Sequence, residues 1–496
     1  MRRFYGVCSA LAVMLFVTGC GAENGTGNGN GRAAAAVMEA EFFHRKIEGE
    51  ITVSAYSSAA YRNYLAEAGR AFEALYPGAK VNVETFSAMP EVRTSGQANL
   101  SVTAMQDDPQ SRNDYLSRIN TSIMSGTGAD IFAMDIIPLH KFVESGTLEN
   151  LEPYINLDPD FNRADYRQNI LDALRYRGGT WFLPIDYTFK YYAYDATLVP
   201  AQIASRFGID KAWSADELLK IGIPLYDGSY KLFNATDFVM GPGGMFYQLL
   251  SENSASFVNL ETGRPNFAYG GFSSLLASVS AYGRDGYIPR GVTGQQGAGQ
   301  FMQQAMGTPT DRFFFKLNNN ISLISQFSRG LGLMMRMMTG GNAPAIDSDD
   351  EITGIQANAD GSVPFGYNQA FGINSRSKNR ETAWAFLKFL LSKETQLSTS
   401  PYYLPLNNEA REEKAELAFM GNIPGSRTPN EQQRQALEDY RAAVETLSDS
   451  INCYVPSDSS LNDMILAEVR YFFDGSRNAE EVARILQNKA DLYLSE

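Results

Sequence analysis

The 496-residue chain sets 42 basic against 56 acidic side chains, a formal charge of −14, and holds only two histidines and three cysteines. The acidic excess excludes nucleic acid and an electrostatic grip on anionic lipid, because both need basic patches. So few His and Cys leave almost no material for the usual zinc arrangements, for His-based triads or for internal disulfides, so stability must come from core burial, and no metal or other cofactor is expected.

The chain opens "MRRFYGVCSALAVMLFVTGC", with Arg2 and Arg3 ahead of an apolar run from Val7 to Val17. That pattern predicts an export signal, too short to span a bilayer as a mature helix. The small residues before Cys20 resemble the lipobox of bacterial lipoproteins, although Val17 stands where Leu is usual. The resemblance implies that Cys20 is acylated and becomes the first residue of the mature chain. The Gly/Asn-rich residues 21–32 read as a flexible coil, which suits a tether. Residues 1–19 are therefore expected to be a signal peptide and residues 20–46 a lipidated cysteine with its tether. The protein is then held on the extracytoplasmic side of the cell membrane through lipid alone.

Folding proper is expected to begin at "ITVSAY", where Ile51 and Val53 alternate with polar residues as in a strand. "YRNYLAEAGRAFEALYPG" spaces Tyr61, Leu65, Phe72 and Leu75 at helical intervals and stops at Pro77-Gly78, and "VNVETF" reads as a second strand. Strand, helix, strand is the unit of a parallel sheet. "NDYLSRINTSIMSGTG" continues as a helix, "ADIFAMD" as a buried strand, and "LHKFVESG" as a helix. In "WFLPIDYTFKYYAYD" two strands are interrupted at Pro184, as where a chain leaves one sheet for another. Ser214 and Glu217 form a capping box that opens a helix. Between 220 and 365 the Gly, Phe and Met content blurs the pattern. Helices near Phe246–Ser251 and Phe272–Tyr282 and a strand at "ISLIS" are expected there. A strand and helix over "QAFGINSRSKNRETAWAFLKFLL" and two helices over "EQQRQALEDYRAAVETL" and "EEVARILQNKADLYL" complete the chain.

In this order, "GADIFAMDIIPLHKFVESGTLENLEPYI", "WFLPIDYTFKYYAYDATLV", the Trp213–Leu218 helix, "QAFGINSRSKNRETAWAFLKFLLSKETQ" and "FFDGSRNAEEVARILQNKADLYLSE" resemble the carbohydrate-type solute-binding proteins of ABC importers, the family related to maltose-binding protein. The resemblance runs over roughly residues 48–496. It implies an α/β, two-lobe periplasmic-binding-protein-like fold of type II, with each lobe a mainly parallel sheet flanked by helices. Residues 47–185 with 367–420 would form lobe one, and residues 186–366 with 421–496 lobe two.

Ligand would lie between the lobes, where small-ligand sites are favoured in any case. Tyr56 and Asp135 follow the first and third strands, whose C-terminal ends face the crevice in an open α/β sheet. Asp186 and Tyr187 sit at the first crossing, where a carboxylate can accept sugar hydroxyls and a phenol can stack on a sugar ring, or where both can brace the hinge. Gln326 and Phe327 follow "ISLIS", and Asn368, Gln369 and Phe371 lie in the return crossing. Neutral amides and aromatic rings suit a polyhydroxylated ligand, because they satisfy hydroxyls without burying an unpaired charge. "DSDDE" at 347–351 reads as a solvated acidic loop. Ser375 and Lys378 have Ser-x-x-Lys spacing but sit in a polar turn with no Lys-Thr-Gly companion. Lone Cys453 reads as a small hydrophobe.

The resulting expectation is a monomeric, non-catalytic receptor that captures a carbohydrate, an oligosaccharide for preference, and delivers it to the permease subunits of an importer. Two other functions fit the same sequence: a lipid-anchored glycoside hydrolase, which only the spacing of a carboxylate pair would reveal, and a sensor subunit that presents its closed form to a signalling receptor.

Overall fold

Alternation decides the first strand. Ile51, Val53 and Ala55 are fully buried on one side of Gly49–Tyr56, which places this strand inside a sheet. The structure is a computed structural model that describes residues 46–56, 59–86, 109–233, 242–260, 262–269, 271–288, 312–320, 323, 350–398, 403–420, 431–456 and 458–495. In its first sheet the strand order is Ala79–Phe86, Gly49–Tyr56, Ile131–Ala133, Ala370–Ile373 and Leu183–Pro184. The first three are parallel, and Ala370–Ile373 runs antiparallel to both of its neighbours.

The two faces of this sheet carry different helices. Gly69, on helix Ala59–Leu75, lies against Val81, which pairs with Ile51, so this helix covers the Ile51 face; its Phe72 meets Phe386 of helix Arg380–Leu390 edge-on at 5.2 Å. Helix Pro109–Met124 covers the opposite face, where Tyr115 shares a 3.2 Å hydrogen bond with Ser54. The short helix Leu139–Glu144 sets Phe142 edge-on to Phe132 on that same face.

The second sheet has the order Ala212–Trp213, Asp350–Gln356, Lys190–Asp195, Phe313–Asn319 and Lys231–Phe233, with the central strand antiparallel to both neighbours. Its register shifts between Ile352 and Gly354. Gly354 has φ 148° and lies against the Lys211 carbonyl, a conformation and a closeness that only glycine accepts. Phe246, Phe272, Phe314 and Phe315 pack with Leu461, Ile465, Val482 and Leu486 of the last two helices, Ser459–Phe473 and Ala479–Ser495, in one core. The Ser214–Glu217 capping box forms as read.

A strand that the sequence did not suggest lies at Phe313–Asn319, where Phe314, Phe315 and Leu317 supply the buried positions; the strand expected at "ISLIS" falls, apart from Leu323, outside the described residues. Asp350 and Glu351 open a strand instead of a solvated loop, since Lys316 lies 2.8 Å from Asp350 and Tyr194 donates to Glu351. Helix Glu431–Asp449 pairs with Arg167 through Glu445 and Asp449, and Leu461 begins the C-terminal contribution to the second core.

Candidate functional site

Strand direction locates the cleft. In the first sheet the ends at Tyr56, Phe86 and Ala133 lie on the side where Pro184 leaves and Ala370 returns. In the second, Lys190 enters opposite Asn319, and Gln356 leaves from the same side. The two sheets therefore present strand ends toward each other across the crossings. Those crossings are stitched together: Thr188 and Gly366 exchange N–H···O bonds of 2.8 and 2.9 Å, and Ile185 donates to the Gln369 carbonyl at 2.9 Å. A third segment, Cys453–Tyr454, runs parallel to Pro364–Phe365.

On the lobe-one side, Tyr56 stacks on Phe86 with 6.2 Å between ring centres and 24° between planes, and Tyr115 lies against both rings. Tyr56 and Phe86 are half-buried, so the pair remains partly accessible to solvent. Asp135 is exposed one residue beyond Met134 at the neighbouring strand end. Burial pushes the Tyr115 phenol up, and the Asp135 charge adds to it. On the lobe-two side stand Asn318 and Asn319, both half-buried, and Asn320, which accepts a hydrogen bond from the Thr188 hydroxyl.

Of the other residues read from sequence, Asn368 is half-buried in the return crossing. Four are buried. Asp186 is fully buried, and its Oδ1 accepts from the Asn368 and Gln369 backbone N–H groups at 2.8 and 3.1 Å, which makes it a brace between crossings. Tyr187 is buried too, with its hydroxyl 3.2 Å from Ser448 Oγ. Gln369 is buried beside them, and Phe371 is core in a central strand covered on both faces. Gln326, Phe327 and Cys20 lie outside the described residues.

Behind Asp186 is a polar cluster that the sequence did not suggest. Burial pushes its carboxyl up to about 6 against the two backbone donors and Lys414, which favour the charged form. Burial also pulls the Lys414 ammonium down to about 8, with Asp186 opposing. Tyr64, on helix Ala59–Leu75, has a buried hydroxyl, raised by burial and then by Asp186, and neither that hydroxyl nor Asp186 Oδ2 has a hydrogen-bond partner among the described residues. Phe86, by contrast, was within reach of sequence reasoning: it closes "VNVETF" at a strand end, the rule that selected Tyr56. No group of three or more His, Cys, Asp or Glu fit to hold a metal occurs among the described residues.

Rings, amides and a hydroxyl thus stand at the strand ends of the two sheets. Several solved structures share the fold. A putative oligosaccharide periplasmic-binding protein from Synechococcus sp. MITs9220 aligns with a TM-score of 0.56 at 14% identity, covering 90% of this chain and 99% of that one. The sugar-binding protein MalE of the phytopathogen Xanthomonas citri aligns at 0.55 and 13%, covering 90% and 98%. The cyclic alpha-maltosyl-1,6-maltose binding protein of Arthrobacter globiformis aligns at 0.52 and 13%, covering 90% and 99%. At such identities the likeness establishes the fold, that of type II periplasmic-binding proteins. No curated protein sequence matches the chain. The bacterial extracellular solute-binding protein family matches over residues 96–418, more than half of the chain and parts of both lobes, and the chain belongs to that family.

Proposed function

We propose that the protein is the lipid-anchored substrate-binding subunit of an ABC importer, which captures a neutral carbohydrate between its lobes and passes it unchanged to a membrane permease. The observation that carries this reading is that the Tyr56–Phe86 ring pair closes two strands of the first sheet at the end where the chain crosses, while Asn319 closes a strand of the second sheet opposite Lys190, where the chain arrives from that crossing. Rings can cover the apolar C–H face of a sugar, and amides can both donate to and accept from its hydroxyls. Tyr56, Asp135 and Asn368 serve as contacts on one side and at the crossing, and Asp186 and Tyr187 hold the hinge. Closure follows from ligand contacts with both lobes, which raise the closed population; hinge closure of periplasmic binding proteins is a general mechanism of the fold. The sugar-binding neighbours support the ligand class.

A thermal-shift screen of the purified protein against glucose, maltose, maltotriose and longer maltooligosaccharides tests the ligand class. A ligand that binds only the folded state raises the melting temperature, by an amount equivalent to about 2.7 kcal/mol at a hundredfold excess over Kd. A shift with one or more sugars, and none with amino acids or peptides, is expected; the opposite pattern refutes the reading. For the anchor, Cys20→Ala should abolish incorporation of radiolabelled fatty acid.

A further inference from the structure

Apart from the stitched crossings, the lobes touch through polar contacts on the side of the first sheet that carries helices Pro109–Met124 and Leu139–Glu144. Arg112 pairs with Asp463 of helix Ser459–Phe473. Lys141 donates to the Tyr493 carbonyl at 3.1 Å and holds its ammonium 3.8 Å from the centre of the Tyr493 ring. The Tyr176 hydroxyl donates to the Leu260 carbonyl at 2.9 Å. His140 Nε2 stands 3.6 Å from Asp458 Oδ2.

The lobe-two partners form one rigid unit. Asp458 caps helix Ser459–Phe473 by accepting from the Leu461 N–H at 3.0 Å, and it accepts the Tyr493 hydroxyl at 2.9 and 3.0 Å. Both terminal helices are rooted in the second core through Leu461, Ile465, Val482 and Leu486. The lobe-one partners are equally fixed: Arg112 and His140 are buried, and Phe142 anchors the short helix on Phe132. Two rigid surfaces that meet between the lobes must slide or separate when the lobes rotate about the crossings. His140 marks where a slide changes partners, since neither ring nitrogen has a hydrogen bond among the described residues while Asp458 lies just beyond reach.

We propose that Arg112 and Lys141, engaging Asp463 and Tyr493, form a polar latch by which the two C-terminal helices set the angle between the lobes. The proposal rests on the reading of the cleft as a site that opens and closes. Its contacts join buried Arg112 to half-buried Asp463 and the half-buried Lys141 ammonium to the Tyr493 ring, and together they shift such an equilibrium roughly tenfold. That is enough to tune a hinge and too little to freeze it.

The test needs no ligand, so its failure is separable from failure of the carbohydrate reading. Spin labels are placed at Met124→Cys on lobe one and Tyr269→Cys on lobe two, positions 85% and 87% exposed. Lobe-to-lobe distances are then measured by pulsed electron resonance in the otherwise unaltered protein, in Lys141→Ala with Asp463→Ala, and in the charge-swapped pair Arg112→Asp with Asp463→Arg. In the double alanine variant a second distance population should grow roughly tenfold relative to the first. The swapped pair should restore the original distribution in part. Identical distributions in all three proteins overturn the latch. A changed distribution in the alanine variant that the swap fails to restore, with both variants melting as cooperatively as the parent, overturns the role of the Arg112–Asp463 pair.

Discussion

Two polar clusters flank the crossing strands, one on each side of the lobe-one sheet, and they handle charge in opposite ways. Around Asp186 the groups are buried and driven toward neutrality, with the carboxyl near 6, Lys414 near 8 and the Tyr64 hydroxyl unpartnered among the described residues. Around Lys141 the charges stay paired across the lobes and partly exposed. Opening the first cluster would strand buried polar groups, which costs several kcal/mol, whereas opening the second trades protein partners for water at little cost. The contrast teaches where this molecule can bend: the crossings are pinned on the Asp186 side, and the lobes are free to adjust on the Lys141 side.

The most direct way to break the contrast is Asp186→Ala. Two backbone N–H donors lose their acceptor and Lys414 loses a counter-charge, so unfolding free energy should fall by about 3 kcal/mol in urea titrations, with the exposed cleft residues unaltered. A loss below about 1 kcal/mol would mean that the cluster does not pin the hinge.

A pH series sharpens it with a smaller effect. The Asp186 carboxyl is raised from 3.8 to about 6 in the folded protein, so the folded state holds this proton more tightly than the unfolded chain. Its contribution to stability is fully present below 3.8 and is lost as pH rises through about 6. Relative to Asp186→Asn, which cannot titrate, the parent should lose on the order of 2 kcal/mol between pH 4 and pH 8. Parallel stability curves for the two proteins would contradict the buried, neutralised hinge.

Lobe one was largely legible because its signals are local. Ile51 and Val53 alternate, Leu65 and Phe72 keep helical spacing, and Pro77-Gly78 ends the helix, so strand, helix and strand could be read without knowing their neighbours. Lobe two was legible in part: strand Lys190–Asp195, the helix capped by Ser214 and helices Pro242–Glu252 and Phe272–Arg284 were read, whereas strand Asp350–Gln356 begins with acids that Lys316 and Tyr194 satisfy from other strands. Such compensation is invisible in one dimension. The site divides in the same way. The strand-end rule selected Tyr56 and Asp135, and applied to "VNVETF" it would have selected Phe86. Asp186, Tyr187, Gln369 and Phe371 were placed by nearness to a crossing, and sequence cannot tell whether a side chain at a crossing turns toward the cleft or toward the strand beside it. The fate of Asp186 turned on two backbone N–H groups about 180 residues away in the chain.

The central claim is that one ligand is held from both lobes at the facing strand ends. Calorimetric titration of the sugar that gives the largest thermal shift into the parent, Tyr56→Ala and Asn319→Ala tests it most directly. Loss of the ring should cost about 1 to 2 kcal/mol, and loss of the amide about 1 kcal/mol, so both variants should bind roughly five- to thirtyfold more weakly while melting like the parent. Unchanged affinity in either variant would confine the ligand to one lobe, or to another surface, and would contradict the account.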